Sequence, residues 1–321
     1  MPPPEPTPEA HTMQCMEVWG GNRDVETAVS TQGLDAWVVS HPFAGENPET
    51  DAGGDIHYLT SCATGRITRM LLADVSGHGE AVATAARSLR RLLGQHANYI
   101  EQDRFMGAVN ARFGRLDGAT EGLFATAVVA TYFTPTDELT LCSAGHPPAL
   151  LYRAGEDRWA PIGLERRGEA PSNLPLGVLD TSAYEQSTLT LAEGDLLLMY
   201  TDALIEAPGP DGRQLGVEGL TRIASTLDAR DPARFIPGLL RAVLGADDGA
   251  RDAFDDDVTA LLIRRNTFKP RPSIGLALVA GLRILRNVIV SPARGVRPAL
   301  PEISLRALGG AFFKGFNTPR T

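Results

Sequence analysis

A chain of 321 residues that is 43% apolar and 21% charged has enough material for one large or two ordinary domains with a proper core, and this composition excludes a fibrous or wholly disordered protein. Cys15, Cys62 and Cys142 are odd in number and form no C-x-x-C pair, so neither a disulfide framework nor a zinc ribbon is indicated and a reducing, cytoplasmic location is expected. The net charge of −9 divides into −17 over residues 1–267 and +8 over 268–321, and so acidic a body argues against a nucleic-acid partner.

The opening residues MPPPEPTPEAHT are rich in Pro and Glu, so 1–30 reads as a partly disordered extension, with core structure expected from about residue 30. No Lys or Arg precedes Arg23 and no apolar run follows, which does not suit a secretory leader. LDAWVVS (34–40) alternates as a strand does, and IHYLTSC and ITRMLLADV flank the polar link ATGR as a hairpin. Val82, Ala85, Ala86, Leu89, Leu92 and Leu93 recur at helical spacing, which predicts a helix over 80–97, and a second follows at 101–116. The runs FATAVVATYF, ELTLCSA, PALLYR, STLTLAEGD and DLLLMYT are expected to form one antiparallel meander. Helical patterns at 216–228 and 232–245 precede a last strand, DVTALLIR (257–264). Runs of strands interrupted by pairs of helices predict an α+β fold, two antiparallel sheets with helices packed outside.

Four acids adjoin apolar strands: Asp55 in DAGGDIHY, Asp74 in LLADVSGHG, Asp202 in LLLMYTDALIE and Asp256 in FDDDVTALLI. Taken singly, each reads as a turn or cap residue. Together they describe strand ends that bring acids to one edge of a sandwich, where a divalent cation relieves their repulsion. Oxygen ligands alone suit Mg²⁺ or Mn²⁺, whereas His57, His78 and His146 form no zinc-type set with them.

The ordered segments GGD (53–55), ADVSGHG (73–79), SAGHPP (143–148), LPLG (174–177), EGDLLLMYTDALIEA (193–207) and DDVT (256–259) carry a family resemblance. Over residues 31–267 the chain resembles the SpoIIE/RsbU-type serine phosphatases, a branch of the metal-dependent PPM or type 2C protein phosphatases. The resemblance implies two Mn²⁺ or Mg²⁺ ions held by Asp55, Asp74, Asp202, Asp256 and the backbone carbonyl of Val75, with Asp257 able to exchange roles with Asp256. It implies hydrolysis of phosphoserine or phosphothreonine on a protein by water activated between the two ions, in bacterial signalling, with an anti-sigma-factor antagonist as one substrate class. The chain departs from the pattern twice, with Ala203 where the family has glycine after the acid and Tyr58 where many relatives carry a second acid.

His78 is a candidate general acid for the leaving seryl oxygen, and its alternative role is to shape the turn into the following helix. His146 is expected to be a loop residue satisfied by backbone groups, with AGHPP and LPLG shaping loops near the site. No cysteine has an Arg six residues later, so a cysteine-based phosphate cradle is not indicated, and Ser76 and Ser143 lack a triad. In the basic segment 268–321, Leu278, Leu282, Leu285 and Ile289 share one helical face, which suits docking to a partner or to the inner surface of a membrane; packing on its own acidic domain is the alternative. A rival to the enzyme is a phosphatase-like module that binds a phosphoprotein without turnover.

Overall fold

Strands with alternating apolar residues bury one face, and strands that are apolar throughout must be covered on both. The computed structural model describes residues 11–13, 18–43, 52–61, 66–77, 79–96, 101–115, 122–162, 172–209, 212–244 and 254–268. His78, Cys15, Cys62 and the tail beyond Phe268, with its leucine stripe, lie outside the described residues.

In chain order the elements are β1 (His11–Thr12), β2 (Val18–Arg23), β3 (Val25–Ser30), β4 (Leu34–His41), β5 (Ala52–Ser61) and β6 (Ile67–Val75). Two helices follow, α1 (Glu80–His96) and α2 (Gln102–Phe113), and then β7 (Ala125–Phe133), β8 (Glu138–Ala144), β9 (Leu150–Arg153), β10 (Arg158–Pro161), β11 (Gln186–Thr190) and β12 (Leu196–Tyr200). The chain closes with α3 (Ala203–Glu206), α4 (Gly216–Ala224), α5 (Pro232–Leu244) and β13 (Val258–Arg265).

One sheet of seven strands runs β1-β3-β4-β13-β12-β9-β10, and one of six runs β11-β8-β7-β6-β5-β2. Every pairing is antiparallel except the two-residue contact of β1 with β3. Between the sheets lie Leu59, Met70, Leu72, Val128, Tyr132, Val38, Leu197, Met199 and Leu261. On the outer face of the six-stranded sheet, α1 and α2 cover Ile56, Leu71, Ala73 and Val129 with Leu89, Leu93, Phe105 and Val109. On the outer face of the other, Leu220, Phe235, Ile236 and Leu239 of α4 and α5 cover Leu198, Tyr200 and Leu262. Helices, sheet, sheet and helices therefore stack as the alternation of apolar residues requires, in the α+β sandwich expected.

Two expectations need correction. The core starts well before residue 30, because β2 forms the edge of one sheet against β5 and β3 pairs with β4 in the other. The five strand runs are not one meander: β7, β8 and β11 belong to the six-stranded sheet, whereas β9 and β12 belong to the seven-stranded one. β12, LLLMY, is buried at every position because Leu197 and Met199 face the core between the sheets and Leu198 and Tyr200 the core under α4 and α5, while β13 and β9 pair its two edges. The chain changes sheets at Gly145–Pro148, where two prolines supply no backbone N–H and so end the β8 ladder.

Candidate metal centre

Side chains two apart in a strand share a face. Asp74 thus shares the face of Met70 and Leu72, and Asp55 that of Leu59, residues that all belong to the core between the sheets. Both acids sit where that apolar interior gives way to the end of the sandwich. Asp202 lies two residues past Tyr200, the end of β12, and Asp256 and Asp257 precede β13, so the central strands of the second sheet deliver acids to the same end.

The start of β5 is shaped around this end. Asp257 accepts hydrogen bonds from the backbone N–H groups of Phe43 (2.6 Å), Gly54 (2.5 Å) and Asp55 (3.3 Å). A Cβ on Gly53 would run into the Asp257 carboxylate, and one on Gly54 would lie 2.9 Å from the Val75 carbonyl oxygen. Two glycines precede Asp55 because only a backbone without side chains can approach the carboxylate and the carbonyl this closely. Asp257 thereby fastens the backbone of the GGD segment at the start of β5, and its neighbour Asp256 stands exposed with Oδ1 accepting from the Asp257 N–H at 2.8 Å.

Asp55 is 3% exposed. Its Oδ2 accepts from the Thr201 hydroxyl at 2.9 Å, and its Oδ1 is buried without a hydrogen-bond partner. Burial, then the Asp74 and Asp257 charges, raise its pKa well above the usual carboxylate range, against the hydroxyls of Thr259 and Thr201. Asp74 is pushed up to about 7, first by burial and then by Asp202, Asp256, Asp257 and Glu206. Asp202 is raised by burial and by Glu206, opposed by backbone N–H groups at the start of α3. Glu206 was not singled out from sequence, although its position four residues after Asp202, one helical turn on, was the available signal.

These groups perturb one another through space, yet among the described residues no three His, Cys, Asp or Glu side chains form a closed cation cage. The donors nonetheless fit a hard divalent cation: acids that repel one another, a buried carboxylate oxygen with an unmet need, and a main-chain carbonyl alongside, all oxygen.

The residues around the acids have structural employment. Ser76 accepts at Oγ from the Phe124 N–H, and Ser143 Oγ meets the backbone of His146, so among the described residues neither is shown bonded to a side-chain base. Cys142 is buried with its thiol pushed up to about 12 by burial and Asp103, which leaves no thiolate at neutral pH. Tyr58 points to the opposite face from Asp55, into the core under α1, and Ala203 is buried in the core under α4 and α5. His146 is a loop residue as expected, but its ring is buried and bonds a side chain, the Thr126 hydroxyl at 2.9 Å, and it is pushed down to about 4 by burial, against the Tyr200 backbone.

Two antiparallel sheets between helices, with acids at the ends of β5, β6, β12 and β13, make up the PP2C-type phosphatase fold. The family described as Stage II sporulation protein E (SpoIIE) matches residues 64–266, and the chain belongs to that family. The structure is similar to the RsbU and RsbW domains of Rv1364c from Mycobacterium tuberculosis, at 26% identity and a TM-score of 0.61 over 83% of this chain and 70% of that one. It is also similar to the PP2C phosphatase domain and regulatory fragment of SpoIIE from Bacillus subtilis, at 17% identity and a TM-score of 0.58 over 75% and 70% of the two chains. RsbX in complex with magnesium is similar at 15% identity and a TM-score of 0.53, over 75% of this chain and 99% of the other.

Proposed function

We propose that the protein is a metal-dependent serine/threonine protein phosphatase acting in bacterial signalling. Asp55, Asp74, Asp202, Asp256 and the Val75 carbonyl would hold two Mg²⁺ or Mn²⁺ ions, which would supply charge neutralisation and a water of lowered pKa. The observation that carries this reading is the partnerless, buried Oδ1 of Asp55 among acids whose pKa values are raised by burial and by one another. A cation answers both needs at once, since it satisfies the oxygen and removes the repulsion.

This chain's own residues do the positioning. Thr201 fixes one oxygen of Asp55, Asp257 pins the GGD backbone by two hydrogen bonds and Phe43 by a third, and pairing of Asp74 with Thr126 sets Asp74 in register. His78, three residues after the end of β6 in the sequence, is proposed to donate the proton to the leaving oxygen. The substrate is proposed to be a phosphoserine or phosphothreonine protein such as an anti-sigma-factor antagonist, in keeping with the similarity to an RsbU domain.

The test is phosphate release from phosphoseryl proteins with Mn²⁺ or Mg²⁺, run beside small phosphoesters. Faster turnover of the protein substrate is expected. Preference for the small esters would make the protein a different kind of phosphomonoesterase. Binding of the phosphoprotein without release would favour the non-catalytic module.

A further inference from the structure

His146 stands on the crossover between the sheets, since β8 ends at Ala144 in one and β9 begins at Leu150 in the other. The crossover is fixed on both sides of it. Gly145 takes φ 67° and donates its N–H to the Asn173 carbonyl at 2.7 Å, with the Pro175 ring packed where a Cβ would be. Ser143 Oγ lies 3.2 Å from the His146 nitrogen and 3.3 Å from its carbonyl oxygen. The imidazole, 8% exposed, thus projects from an anchored backbone.

The ring reaches both sheets. Nδ1 lies 2.9 Å from Thr126 Oγ1 on β7, and the ring lies beside the Tyr200 backbone on β12, with Nε2 buried and without a hydrogen-bond partner. Thr126 is the cross-strand partner of Asp74. Tyr200 precedes Thr201, whose hydroxyl holds Asp55, and Asp202. One buried ring therefore spans the gap between the strand pair that places Asp74 and the strand end that places Asp55 and Asp202.

We propose that His146 is a positioning residue for the acid edge, a strut that fixes the separation of Asp74 from Asp55 and Asp202 and so sets cation affinity. The proposal rests on the reading of these acids as divalent-cation ligands. A hard cation needs its oxygens at set distances, and residues that orient ligands without touching the metal typically govern affinity by 10- to 100-fold. A cavity of about 280 Å³, lined by Ser143, Gly145, His146, Ser172 and Asn173 among others, adjoins the ring and leaves room for a small molecule to replace it.

Calorimetric titration of Mn²⁺ into the metal-free full chain tests this in the wild type and in Thr126→Val, His146→Ala and His146→Asn. Thr126→Val keeps the shape and removes the hydroxyl, so it carries the test even where His146→Ala fails to fold. Both are expected to weaken Mn²⁺ binding by roughly 10- to 100-fold. His146→Asn, whose amide can meet Thr126 in place of Nδ1, should recover most of the loss, and added imidazole should recover part of it in His146→Ala. Leu139→Ala, in the core near the start of β8, should lower the unfolding midpoint and leave Mn²⁺ affinity unchanged. Wild-type affinity in folded Thr126→Val and His146→Ala would overturn the proposal and leave the cation reading intact. No Mn²⁺ binding by the wild type would overturn both.

Discussion

At the scale of single residues, Asp74 shows how a carboxylate can belong at the end of an apolar strand. Its pKa of about 7 means that the folded, metal-free protein holds a proton there at pH values where the unfolded chain has lost it. Between about pH 4 and pH 7 the native state binds more protons, so this residue's contribution to stability falls as pH rises through that window. Asp74→Asn has no such titration. In EDTA the stability of the variant relative to the wild type should rise between pH 5 and pH 8 by on the order of 1–3 kcal/mol, leaving the variant the more stable at pH 8. Urea unfolding at the two pH values measures the difference; a wild type more stable than the variant at pH 8 would contradict this picture of mutual repulsion.

At the scale of elements, what could be read from sequence was what depends on local pattern. The β5–β6 hairpin, α1, α2 and β13 follow from alternation or helical spacing that any short window displays. The assignment of β9 and β12 to a different sheet from β8 depends on which distant strand each meets, which no window carries. β3 was missed because VETAVS alternates weakly, and β10 because RWAP is only four residues long. Asp55, Asp74, Asp202 and Asp256 were legible because a charge beside an apolar strand stands out, but adjacency could not reveal that Asp257 bonds the GGD backbone. Nor could AGHPP and LPLG reveal that they are one structure, with Gly145 seated against Pro175. Gly145→Ala would place a Cβ 2.5 Å from the Pro175 Cγ at a positive φ, so a loss of about 1–3 kcal/mol in urea unfolding is expected, and a neutral result would show that the crossover yields.

At the scale of the whole molecule, the core between the sheets and the two cores under the helices form a layered frame, at one end of which a buried carboxylate oxygen of Asp55 lacks a hydrogen-bond partner among acids that raise one another's pKa values. Among the described residues no helix is long and apolar enough to cross a membrane. Such a division, stability in the layers and unmet electrostatic need at one end, is what a cation-dependent catalyst built on strand ends requires. The most direct test follows phosphate release from a phosphoseryl protein as Mn²⁺ is raised, in the wild type and in Asp202→Asn, with EDTA as the blank. Release should rise with Mn²⁺ and saturate in the wild type, vanish in EDTA, and fall by about a hundredfold or more in a variant that still unfolds cooperatively. Undiminished release in EDTA, or Asp202→Asn turning over at the wild-type rate, would contradict the account.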